Sequence, residues 1–179
     1  GAVSGGEATV SYIVPWGSAP AVRFLARALR EGMVLKSNDK EFTNLRNNYP
    51  AGSLIIDVAD NSAGLYSRVN RLAQETGANV VSVNDSWVTD GPSFGSANVV
   101  RFSTPKVAMA WDAPTSSYSA GNTRFVIERQ FDYPVTAIRV DDLRNSNLGG
   151  FQVLILPLTS GAGYESALGE SGIANLKDW

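Results

Sequence analysis

The chain holds no cysteine and no histidine among its 179 residues. The first absence excludes disulfides and thiol nucleophiles, and the second removes the imidazole base of a Ser-His-Asp triad. Together they leave neither thiolate nor imidazole for a zinc site of the usual kind. Lack of cysteine fits a reducing cytosol and a periplasm equally, so it says nothing of compartment. Charge is also scarce, at 18% of residues against about 25% in an average domain. Fifteen Lys and Arg against 17 Asp and Glu leave a net charge of -2, and the basic residues are scattered without forming a block. That distribution argues against nucleic acid, which draws on a concentrated basic face. Long apolar runs are missing too: "VLILPL", residues 153–158, falls far short of the ~20 residues of a membrane span.

What is present fits a globular chain, with 44% hydrophobic residues, 17 Gly and 8 Pro. The length allows one large or two small domains. "ATVSYIVP" (8–15) alternates and is rich in β-branched residues, which predicts a strand. Ser18 then caps a helix through Glu31, with Pro20 in its first turn and Gly32 as its stop. Val22, Leu25, Ala26 and Leu29 share its apolar face. Short strands at 33–35 and 41–45, a turn at 47–52 and a strong strand at 53–58 follow. Ser62 caps a second helix carrying Leu65, Val69, Leu72 and Ala73 at helical spacing, Gly77 ends it, and 79–83 is a strand.

Periodicity fails over residues 84–105, which read as a long polar loop with one short strand at 99–102. After it come a strand at 106–111, a helix at 118–131, strands at 135–140 and 151–157 around a turn, and a final helical pattern. This divides the chain into a first α/β unit (1–84), a connecting loop (85–105) and a second α/β unit (106–179). Strand and helix alternation predicts an α/β three-layer sandwich with a mostly parallel sheet and a flavodoxin-like second half. The chain starts at Gly1 without a charged-then-apolar leader, and its last helix runs to Trp179 with nothing to close it. It therefore reads as an excised piece, truncated at the C-terminus, whose second sheet keeps an open edge.

Several blocks carry a family likeness: "SYIVPWGSAPAVRFLARALREGM", "YPAGSLIIDVADN", "GANVVSVNDSWVTDGPSFGS", "KVAMAWDAPTSSYSAGNTRFVIERQFDYPVTAIRVDDL" and "FQVLILP". In this order they resemble the region C-terminal to the catalytic domain of large bacterial M14-type zinc carboxypeptidases. Residues 107–143 are the most specific part. The resemblance implies a secreted or periplasmic parent metallopeptidase whose zinc ligands and catalytic Glu lie upstream of Gly1. None of them transfers to a chain without histidine, so the fragment itself is expected to need no cofactor and to do no catalysis. The second half is similar to the start of a class I glutamine amidotransferase-like domain, in which "VLILP" precedes a Gly-containing loop, here "LTSGAGY". The Cys nucleophile of active members would fall beyond Trp179. The implied partners are the upstream peptidase domain and a peptide substrate. The competing reading is a small-molecule binding or sensing domain that uses the strand-end crevice.

Three sets of residues could carry a site. Thr115, Ser116, Ser117 and Ser119 sit where a strand gives way to a helix, a place suited to an anion but equally to a helix cap. Activation of one of them as a nucleophile needs a base, and Asp112 is the nearest carboxylate. Asp57, Asp60, Asp85, Asp112, Asp141 and Asp142 close strands or turns, but their spacing matches no calcium loop. Trp16, Trp87, Trp111 and Tyr118 could stack on a sugar or a peptide side chain, or pack beneath a loop. The expected ligand-binding residues are therefore Asp85, Trp87, Asp112, Thr115, Ser116 and Ser117, with no catalytic residue and no metal ligand.

Overall fold

The computed structural model describes residues 1–161 and 163–179 and forms two compact units, Gly1–Thr104 and Pro105–Trp179. In the first, the chain runs through β1 (Ala2–Ser4), β2 (Ser11–Val14), α1 (Ala19–Arg30), β3 (Lys36–Asn38), β4 (Phe42–Asn44) and β5 (Asn47–Tyr49). It continues through β6 (Leu54–Asp57), α2 (Leu65–Thr76), β7 (Asn79–Val83), β8 (Val88–Asp90) and β9 (Val99–Arg101). Six strands make one sheet in the order β1-β7-β2-β6-β3-β9, and β5-β4-β8 make a second.

The large sheet is mixed, not mostly parallel: only β1 and β7 pair in parallel, and the other four pairings are antiparallel. The strand–helix alternation has a real counterpart in β6-α2-β7, whose two strands run the same way. β2 lies between them in the opposite direction and pairs with both. A crossover therefore joins second neighbours here, which alternation along the sequence does not reveal.

The central strands β2 and β6 are apolar on both faces because both are covered. Ile13 and Ile55, paired across the ladder, pack with Phe42, Tyr49, Val83 and Phe94 under the small sheet. Tyr12, of opposite parity, stacks on Tyr66 of α2 with ring centroids 6.4 Å apart. α1 starts as expected, with Ser18 Oγ accepting from the Ala21 N–H at 3.3 Å. Of its expected apolar face, Ala26 and Leu29 are buried while Val22 and Leu25 are only half-buried, and Ala21, Phe24 and Ala28 complete the buried set. Small alanines let the helix lie close to its neighbours, a role that side-chain size alone conceals.

Other departures share a cause in side chains that bond the backbone. The expected strand at 33–35 begins later, at Lys36, because the Asn61 side chain takes up both the N–H and the carbonyl of Val34. Ser62 is not a cap: α2 starts after Gly64, which adopts φ 78°. Of the expected turn at 47–52, the first half is β5, with an added reversal at Leu45 (φ 57°) and Tyr49 stacked on Phe42 at 5.1 Å, while the second half does turn, the Ser53 N–H donating to the Pro50 carbonyl at 3.1 Å. Residues 85–105 carry β9, the short strand expected at 99–102, which pairs with β3, and in addition β8, which pairs with β4, around the buried Phe94.

The second unit runs through β10 (Val107–Trp111), α3 (Ser117–Phe125) with a π-helical turn at Val126–Gln130, β11 (Val135–Arg139), α4 (Val140–Leu143), β12 (Val153–Ile155) and α5 (Tyr164–Asp178). Its three strands are all parallel, in the order β11-β10-β12. One face of the sheet, through Ala110, Ile138 and Leu154, packs on Val140 and Leu143 of α4 and Leu168 of α5. Among the described residues no helix is long and apolar enough to cross a membrane.

Candidate functional site

β10 is the middle strand of its sheet, and a partly enclosed cleft opens at its exit. Trp111 ends the strand, Asp112 turns the chain with φ 73°, and the Ala113–Pro114 peptide bond is cis. The Thr115 N–H donates to the Asp112 carbonyl at 2.8 Å and closes the turn. Asp and Asn tolerate this left-handed conformation better than most residues. The segment after β12 is laced to this turn. Ser116 N–H donates to the Leu158 carbonyl at 2.7 Å, and Ser160 N–H to the Pro114 carbonyl at 2.8 Å.

The hydroxyls of "APTSSYS" are mostly spent on this framework. Ser116 Oγ caps α3 by accepting from the Ser119 N–H at 3.5 Å, and Ser119 Oγ accepts from the Leu158 N–H at 3.0 Å. Tyr164 donates its hydroxyl proton to the Pro157 carbonyl at 2.7 Å, so its oxygen is left to accept from Thr115 Oγ1 at 3.1 Å. Asp112, the one carboxylate close in sequence, pairs with Arg139 Nε at 3.3 Å. Between the two loops lies a cleft of about 340 Å³ lined by Asp112, Thr115, Ser117 and Ser160 together with Trp111 and Pro114. The Arg124 guanidinium sits 5.3 Å from the centre of the Trp111 ring. Arg124 is itself held by Glu128 at 2.8 Å, and its hydrogen bond draws the Glu128 carboxyl below the usual range.

Asp85 and Trp87 belong to the first unit. Asp85 Oδ1 accepts from the Trp87 N–H at 2.9 Å, the bond of an Asx turn, and the Asn44 amide donates to both their carbonyls at 2.9 Å. Trp87 itself stands 69% exposed. Asp112, Thr115 and Ser117 are brought together at the β10 cleft, whereas Ser116 is turned to its cap. Ser160 and Arg139 were not singled out from the sequence. Their place follows from strand order, since β11 and β12 both flank β10, and no local motif marks them.

Of the acidic residues, Asp57 and Asp60 converge, but on a lysine: Lys36 Nζ lies 2.7 Å from an oxygen of each. The hydrogen bonds that the Lys36 ammonium donates to these two carboxylates raise its pKa. An ammonium thus occupies the space between the two acids. Among the described residues no three Asp or Glu side chains gather in a way that could hold a metal. With histidine and cysteine absent, the residues present do not fit a zinc centre. No family model, no curated protein and no solved structure matches this chain.

Proposed function

We propose that the chain is a non-catalytic accessory region of a zinc carboxypeptidase-like protein, in which the crevice at the exit of β10 positions a ligand without reacting with it. The observation that carries this reading is the state of the hydroxyls. Ser116, Ser119 and Thr115 are engaged in capping and loop bonds, and Asp112 faces Arg139 and not a serine. A nucleophile needs a base within hydrogen-bond reach, and among the described residues no carboxylate or lysine bonds the Thr115, Ser116 or Ser119 hydroxyl.

The place of the crevice supports the binding half of the reading. Numbered within its own unit, the sheet runs 2-1-3, the order in which a doubly wound flavodoxin-like sheet begins. The connections leave β10 toward β11 on one side and arrive at β12 on the other. Crevices at such reversals, outside the carboxyl ends of parallel strands, are where ligands gather. The likeness to the peptidase-associated region and to the start of an amidotransferase-like domain supplies the proposed context: a secreted or periplasmic parent, an upstream peptidase domain as partner, zinc held by that domain, and a peptide or cell-wall fragment as ligand. A free-standing small-molecule sensor would use the same crevice, whose volume of about 340 Å³ suits a small ligand.

The catalytic question is settled by incubating the chain with zinc and a peptide bearing a free C-terminus, then weighing the products. The expected result is an intact peptide. Zinc-dependent release of the terminal residue would overturn the reading.

A further inference from the structure

We infer that the crevice at the exit of β10 takes one ring of an uncharged saccharide, an inference that rests on its being a binding site at all. Its surface has two characters. Trp111, Pro114 and Ala120 supply apolar surface, while Asp112, Ser117 and Ser160 supply polar groups. The Ser117 and Ser160 hydroxyls have no hydrogen-bond partner among the described residues. A ligand that fits must therefore be apolar on one side and rich in hydrogen-bonding groups at its rim. A pyranose ring has this construction, with C–H bonds on its faces and hydroxyls around its edge.

Charge narrows the choice further. Asp112 is matched by Arg139 at 3.3 Å, and Arg124 by Glu128 at 2.8 Å, so the charged groups around the crevice cancel in pairs. A phosphate or carboxylate would meet the Asp112 carboxylate at close range, where like charges repel. A purely aliphatic ligand would strip water from Asp112, Ser117 and Ser160 and offer them nothing in return. Hydroxyls of a neutral sugar instead donate to Asp112, which keeps its acceptor capacity beside Arg139, and charge-assisted bonds of this sort are the stronger ones. Trp111, one face of whose indole carries the Arg124 guanidinium, lines the crevice and supplies aromatic surface against which C–H groups pack. A cleft of about 340 Å³ lies at the small end of ligand pockets, the size for a single ring and not a chain of them.

Titration of the isotope-labelled full chain followed by NMR tests this, with methyl β-glucoside and N-acetylglucosamine as saccharide probes and inorganic phosphate and Ala-Ala-Ala as comparators. The saccharides are expected to shift the Trp111 indole N–H and the Ser117 and Ser160 amides. Trp111→Ala and Asp112→Ala should each weaken binding about tenfold or more. Because Trp111 is half-buried and its loss could unfold the unit, Ser160→Ala at an exposed loop position provides a second variant, with severalfold weakening expected. Saccharide shifts that persist unchanged in both Asp112→Ala and Ser160→Ala overturn the inference. Shifts produced by phosphate or the tripeptide but not by the saccharides overturn it while leaving a ligand-positioning crevice in place. Silence of all three residues toward all four probes overturns both.

Discussion

Gly91 shows how tightly one residue can be constrained in a stretch that reads as featureless. It follows β8 at φ 84°, and a Cβ added there would stand 2.8 Å from the Phe42 Cα and strike the Glu41 carbonyl. Gly32 shares the positive φ, at 69°, but has open space around it. Gly91→Ala should therefore cost about 1–3 kcal/mol more than Gly32→Ala, since it adds a backbone collision to the conformational penalty. Urea unfolding of the two variants measures the difference, and equal midpoints would contradict the packing of β8 on β4. Sequence reading at this scale found Ser18 and Gly77, whose roles are local to their own helix ends. It misassigned Ser62 and missed Lys36, because Asn61 and the Asp57–Asp60 pair act across the chain, where periodicity carries no signal.

Elements are joined by side chains whose ionisation can be followed. Lys36 on β3 is tied to the exit of β6, and its pKa is raised by its bonds to Asp57 and Asp60. Tyr12 on β2 and Tyr49 on β5 are raised chiefly by burial. For all three the folded value lies above the unfolded one, about 10 for Tyr and 10.4 for Lys. The unfolded chain then loses its protons first, so their contribution is complete below about pH 10 and disappears as pH climbs through the folded values. Melting temperature should fall above pH 10, and the fall should be shallower in Lys36→Met and Tyr49→Phe. Slopes identical to the parent chain would mean that these groups do not couple the strands. The strands themselves were mostly visible in the sequence, β2, β6, β7, β10 and β11 from alternation or β-branched runs. β9 was expected at 99–102, whereas β5 and β8 were hidden, because such short strands are held by their partners and by Tyr49 and Phe94, not by their own pattern.

At the scale of the whole molecule the described chain is a mixed α/β protein of two units with several sheets, partly parallel. Helix and strand alternation led correctly to the parallel second sheet, but it carries no information on the strand inserted backwards between β6 and β7. The crevice was legible only in part. Asp112, Thr115 and Ser117 stand in one motif, whereas Ser160 and Arg139 reach it through the order of strands. The central claim is that this crevice binds without reacting, the Thr115, Ser116 and Ser119 hydroxyls beside it being committed to capping and loop bonds. The most direct measurement is the intact mass of the chain after treatment with a fluorophosphonate, which labels activated serines whatever their substrate. The account predicts no adduct on Ser116, Ser117 or Ser119 beyond that of the denatured chain; stoichiometric labelling of any of the three, lost on substitution by Ala, would contradict it.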